Sequence, residues 1–184
     1  MRRAIPFLAT LTLLGGCFTL PPGPPPDLST PRDTLSYLVD SYANQDYSGL
    51  LYTLDGTGDF VFAFDNREWG DTVNGYKIPI DWGITSESRA TQNMFYEATG
   101  IDIYLDLEHM DPLPEGASLY WSNWIQYIIR YYYDEDHNFY YVIGHALFEM
   151  KKVGEDWIIT RWSDKMYNEN EHSWGWLKAL YRLN

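Results

Sequence analysis

The chain has 184 residues, 13 Lys and Arg against 26 Asp and Glu, and a formal charge of −13. That length suits one domain with short additions, and 45% hydrophobic with 17% aromatic residues excludes a disordered acidic chain. The charge of −13 argues against a nucleic-acid partner, since phosphate binding needs clustered Lys and Arg, and the single cysteine can form neither an internal disulfide nor a cysteine zinc site.

Residues 1–17 read MRRAIPFLATLTLLGGC. Arg2 and Arg3 give a basic start, and Ala4 to Leu14 is uncharged and mostly apolar. As a helix that run reaches only about 16 Å, against a hydrocarbon core of roughly 30 Å, so the spacing predicts an export signal rather than a span. Leu14-Gly15-Gly16-Cys17 resembles the lipobox of bacterial lipoproteins. The resemblance implies cleavage before Cys17, diacylation of its thiol, and a membrane partner held through that anchor. Two or more acyl chains hold a protein stably, whereas one gives marginal binding. An ordinary secretory signal with a chance cysteine is the alternative. Removing 16 residues, Arg2 and Arg3 among them, leaves 168 residues with 11 basic against 26 acidic, a charge of −15. Phe18 rather than Asp follows the cysteine, which by resemblance to proteobacterial sorting favours the outer membrane within the cell envelope.

Residues 18–32, FTLPPGPPPDLSTPR, hold six of the ten prolines. Proline lacks an amide donor and fixes φ, so extended polyproline II is expected. At about 3.1 Å per residue the stretch reaches at most roughly 45 Å. The division is therefore a signal at 1–16, a lipidated cysteine and tether at 17–32, a domain at 33–165 and a tail at 166–184. The tether reads as a semi-stiff spacer, with a leader of no required stiffness or a ligand for a proline-reading domain as alternatives.

Thr30-Pro31-Arg32-Asp33 is a helix start, and Leu35, Leu38, Val39, Tyr42 and Ala43 follow on one face. Tyr47 to Leu54 suggests a second short helix. Asp55-Gly56-Thr57-Gly58 is a turn, and Phe60, Phe62 and Phe64 mark one face of a strand. Residues 65–81 read as a long loop. A third helix runs from Thr85 or Ser86 to Ala98, with Glu87 in its first turn and Ala90, Met94, Phe95 and Ala98 inward. Ile101 to Leu107 alternates as a strand. Three further strands are predicted at Ala117–Tyr133, Phe139–Lys152 and Trp157–Trp162. Residues 119–133 also carry helical spacing, but aromatic and β-branched residues dominate and a charged turn follows, which favours a strand. In the tail, Ser173 is a cap, and Trp176, Leu177, Leu180 and Tyr181 form a stripe that predicts a short helix on the domain or on a partner.

Segregated helices followed by a run of strands imply an α+β layer. The opening helix pair leading into DFVFAF, the mid-chain helix ending NMFYEAT and the closing HALFEMKKVGEDWIITRWSD appear in that order. This order resembles the nuclear transport factor 2-like superfamily, the cystatin-like cone that includes SnoaL-like and ketosteroid-isomerase-like proteins. The resemblance implies a strongly bent antiparallel sheet wrapped around the N-terminal helices, cone-shaped, with a cavity lined by one face of the last three strands. No catalytic residue of that superfamily aligns by a specific motif.

Read directly, Tyr140, Val142, Gly144, Ala146, Phe148 and Met150 form the more apolar face of the predicted strand Phe139–Lys152, leaving Tyr141, His145 and Glu149 on the other. His145 and Glu149 share that face but lie about 13 Å apart along a strand, too far for a direct hydrogen bond. His145 and Asp164 are the weak catalytic candidates, the first against a solvent-facing histidine, the second at a pocket rim against a strand-end cap. His109, His137, His145 and His172 lack metal-ligand spacing, so no metal is expected. No GxSxG elbow, Walker loop or EF-hand pattern occurs, and no cofactor is implied. Sixteen Tyr and eight Trp are the unusual feature. Filling a bent sheet is their plain explanation, and a ligand or partner surface the functional one. Tyr141, Trp162, Trp174 and Trp176 are the binding candidates, with Trp174 and Trp176 the better surface ones.

Two functions follow. The first is a non-catalytic envelope lipoprotein domain that binds a small apolar ligand or an envelope protein, with a homodimer open. The second is a small cavity enzyme of the isomerase or dehydratase type using one acid or histidine as general base.

Overall fold

The computed structural model describes residues 26–182, so Cys17, the leader and most of the proline segment lie outside the described residues. The first helix, α1 (Pro31–Ala43), starts as its sequence demands: the Thr30 hydroxyl accepts the Asp33 amide at 3.1 Å, with Pro31 at the first position. Leu35, Leu38 and Tyr42 are buried on its inner face. Asp46 caps α2 (Tyr47–Thr53) by accepting from the Gly49 amide at 2.9 Å. The third helix, α3 (Ile84–Glu97), buries Ala90, Met94 and Phe95 as expected, and also Glu87 and Thr91.

The main sheet has seven strands: β1 (Val61–Ala63), β4 (Asp81–Gly83), β5 (Gly100–Leu105), β6 (Leu119–Trp121), β7 (Ile125–Tyr132), β8 (Phe139–Val153) and β9 (Asp156–Met166). The order is β4-β1-β9-β8-β7-β5, with β6 pairing the far end of β8. One expected strand, residues 117–133, is two: Ser122 to Trp124 interrupt it, and the Phe148 amide donates to the Ser122 hydroxyl at 2.9 Å. β8 thereby carries β7 along its first half and β6 along its end, and its register with β9 shifts at Glu149/Met150. Such a bulge increases local twist and bends the sheet. The sheet is not wholly antiparallel, because β1 pairs β9 in parallel. Hydrophobic alternation fixes which face of β1 is buried but carries no information on strand direction, so this pairing was not readable from the pattern.

Residues 65–81 are not a plain loop. They fold a small hairpin of β2 (Thr72–Val73) and β3 (Tyr76–Lys77), turned by Asn74 and Gly75 at φ 48° and 80°. Asn-Gly is the strongest short hairpin signal, since both residues tolerate positive φ. The helices fill the hollow of the bent sheet, and Val142, Ala146, Phe148 and Met150 of β8 face inward as predicted. The last helix, α4 (Trp174–Leu180), capped by Ser173, packs into the same core: Trp174, Leu177 and Ala179 are fully buried. The architecture is α+β, a bent, unclosed sheet around helices.

Candidate functional site: a cone closed by the C-terminal helix

The hollow of the bent sheet is packed with side chains. Four aromatic rings meet there. Trp162 of β9 and Trp174 of α4 approach edge-to-face with centroids 4.3 Å apart, Tyr42 lies 4.9 Å from Trp174, and Phe62 of β1 lies 5.4 Å from Trp162. All four are fully buried. Edge-to-face geometry at these distances is favourable beyond area burial alone.

Into this cluster α4 inserts a lysine. Lys178 is fully buried, its Nζ 3.5 Å from the centroid of Trp162 and 3.9 Å from that of Phe62. Its counter-ion is Glu87 of α3, whose Oε1 lies 2.6 Å from Nζ, while Trp82 Nε1 donates to Glu87 Oε2 at 3.0 Å and the Thr91 hydroxyl to Oε1 at 3.2 Å. Burial pulls the Lys178 ammonium down to about 8, against the opposing pull of Glu87 and Asp164. A buried charge persists only when it is paired and hydrogen-bonded, and here ring faces and a carboxylate share that work.

Two further carboxyls hold the start of α4. Asp164 accepts the Tyr127 hydroxyl at 2.7 Å, its neighbour's Lys165 amide at 3.0 Å and the Gly175 amide at 2.5 Å. Burial raises its pKa above the ordinary carboxylate value despite those donors, so the acid is weakened. Glu68 accepts the Ser173 hydroxyl at 2.6 Å, and burial followed by the neighbouring Asp164 charge lifts it to about 7. Tyr127 in turn donates to Asp164 and accepts the Trp174 amide at 2.8 Å. The free amides at the helix start are therefore met by carboxyl and hydroxyl oxygens, as the end of a helix requires. Gly144, opposite Tyr127 on β8, is needed because a Cβ there would run into the Tyr127 hydroxyl.

The expected site residues separate. Asp164 is not at a rim: it is 4% exposed and faces the inside of the cone. Trp162 and Trp174 are core rings, and Trp174 is corrected from a surface position because α4 turns inward rather than lying on the domain. Trp176 is half-buried and stacks on His172 with centroids 3.7 Å apart. His145 and Tyr141 lie on the outer face of β8, where His145 stacks on Tyr167 at 5.8 Å and burial followed by Lys165 lowers its basicity. His145 and Asp164 thus sit on opposite faces of the sheet and form no pair.

Sequence reasoning missed Lys178, Glu68 and Tyr127, and read Glu87 only as a first-turn acid. The one signal was a lysine set inside the stripe Trp176, Leu177, Leu180 and Tyr181. An outer cleft of about 580 Å³ lies beside α4 and is lined by Glu68, Asp71, Glu169, His172 and Trp176 among others. Among the described residues no group of three or more His, Cys, Asp or Glu is placed to hold a metal, and no helix is long and apolar enough to cross a membrane.

No protein-family model matches the sequence, and none of the curated proteins does. Solved structures do match in fold. A nuclear transport factor 2-like superfamily protein from Salmonella enterica serovar Typhimurium aligns with TM-score 0.55 at 10% identity, covering 75% of this chain and 89% of its own. An uncharacterised cystatin-like protein from Caulobacter vibrioides gives 0.52 at 8%, covering 74% and 87%. A LinA-type3 hexachlorocyclohexane dehydrochlorinase from Novosphingobium barchaimii gives 0.52 at 10%, covering 74% and 84%. Identities this low speak for the fold alone, and residues 26–182 have the nuclear transport factor 2-like cone fold.

Proposed function

We propose that the chain is a lipid-anchored envelope protein whose cone has given up catalysis and whose domain binds a ligand or partner from its outside. The observation that carries the non-catalytic half is the filling of the cone by α4, with Lys178 seated among Phe62, Trp162 and Glu87. A substrate would have to displace a core tryptophan, a core leucine and a buried ion pair before meeting Asp164. The anchor half rests on Leu14-Gly15-Gly16-Cys17 and the proline-rich stretch after it.

A cavity enzyme is the second reading. It is favoured by the buried Asp164, which burial holds toward its protonated form, and by a dehydrochlorinase among proteins of the same fold. One titration separates the two. An apolar fluorescent dye added to the full chain in its native state is expected to show no saturable uptake, because the cone is closed. Stoichiometric uptake that is lost when Asp164 or Trp162 is replaced would establish an open cavity and overturn the non-catalytic reading. For the anchor, Cys17→Ser is expected to abolish acyl labelling and move the protein from membrane to soluble fractions. Unchanged labelling and partition in that variant would refute it.

A further inference from the structure

The outer face of the sheet carries a groove that the cone does not explain. Trp69 and Trp124 flank it, with 46% and 43% of their surfaces exposed, and its volume is about 280 Å³. Its floor is Ala63 of β1 and Ser163 of β9, direct register partners. Two small side chains side by side leave room for a flat ring to settle between the indoles. Trp69 is fixed, since its Nε1 donates to the Phe64 carbonyl at 3.1 Å, and Lys165 Nζ stands 5.6 Å from the centroid of Trp124.

The rim is polar. Asp65 and Arg67 on it are ion-paired with each other and Lys165 lies over Trp124, but the Asn66 side-chain amide and the Ser163 hydroxyl have no hydrogen-bond partner among the described residues. A third exposed indole, Trp121, lies on the same outer face but outside the groove: it pairs with Glu149, which pairs with Arg161, two residues before Ser163 on β9.

Exposed indole faces edged by uncommitted donors and acceptors match one ligand chemistry closely. A hexopyranose presents an apolar C–H face that stacks on an indole and an equatorial rim of hydroxyls that hydrogen-bond. Two indoles in the groove and a third on the same face suit a chain of such rings rather than one. The charge of −13 works against a polyanionic chain, so the sugar is uncharged. From this geometry we infer that the Trp69–Trp124 groove is a binding site for a linear neutral glycan. The inference rests on, and gives a ligand class to, the outside-binding reading above.

Calorimetric titration of the full chain with cellohexaose and hexa-N-acetylchitohexaose tests it, with hexagalacturonate as the charged comparison. The expected result is saturable binding of at least one neutral hexamer. Trp69→Ala and Trp124→Ala each weaken it about tenfold, the loss of one stacked ring, while Tyr104→Ala, exposed on the same sheet but outside the groove, leaves it unchanged. Circular dichroism of each variant confirms that the domain is intact. Absence of binding by either neutral hexamer up to about 10 mM overturns the inference. So does binding indifferent to both tryptophans, or tighter binding of the galacturonate. These failures differ from failure of the non-catalytic reading, which dye uptake into the cone alone reports.

Discussion

Lys178 and Glu87 show how a single residue can carry the logic of the interior. Two charges removed from water are tolerated because each is the other's partner, so removing one strands the other. Lys178→Met, which keeps the volume, or Glu87→Gln alone is expected to lower unfolding free energy by about 3–5 kcal/mol. The double variant should recover most of that loss, since no unpaired charge remains. Urea unfolding of the three proteins checks this, and strictly additive losses would show that the pair is not coupled. None of it was visible in the sequence beyond one lysine in an apolar stripe. The partners stand 91 positions apart on different helices, and periodicity reports burial of a position, not what meets it there. Asp164 was picked out, but as a rim residue. Its inward turn depends on β9 continuing to Met166, four residues past the predicted end.

At the scale of elements, caps and alternation were legible and long-range pairing was not. Thr30-Pro31 and Ser173 start helices because a hydroxyl oxygen there accepts an amide the helix leaves free, an entirely local matter. The parallel seat of β1 beside β9, and the descent of α4 into the cone, are tertiary choices that no local pattern encodes. What makes the second choice feasible is Gly175. A Cβ on it would lie 2.7 Å from Phe64 Cδ1 and 3.1 Å from Asp164 Oδ2, against side chains that are themselves buried. Gly175→Ala is therefore expected to lift the start of α4 off Asp164 and destabilise the fold by about 1–3 kcal/mol, the usual range for overpacking. A shorter-range consequence follows: the same variant should begin to take up the apolar dye that the native cone excludes. A melting temperature and dye response equal to those of the native protein would mean that α4 is not a tight stopper.

The molecule as a whole places opposed titrations in one fold, and their signs fix its pH profile. Burial pushes Asp55 and Asp65 upward, but Lys151 and Arg67 with their accompanying hydrogen bonds outweigh it and hold both below the ordinary 3.8. Their contribution is present above that value and is lost as pH falls further. Glu68 runs the other way. Its folded value of about 7 lies above the ordinary 4.5, so its contribution is complete below 4.5 and is lost as pH rises toward 7. Asp164 is shifted in the same direction. Lys178, lowered from 10.5 to about 8, adds stability only as pH climbs between those values and leaves the acid side flat. Self-repulsion of the acidic chain also fades toward its pI of about 4.5. Stability should thus peak between pH 4 and 5 and fall on the way to neutrality, by at most about 3 kcal/mol from Glu68. Glu68→Gln keeps an acceptor for Ser173 and removes the titration, so its profile from pH 4.5 to 7 should be flatter than that of the native chain. Thermal melts across that interval decide the matter: native stability that rises toward pH 7, or a variant whose slope is unchanged, would mean that Glu68 meets Ser173 as an ordinary carboxylate and that α4 is held by packing alone.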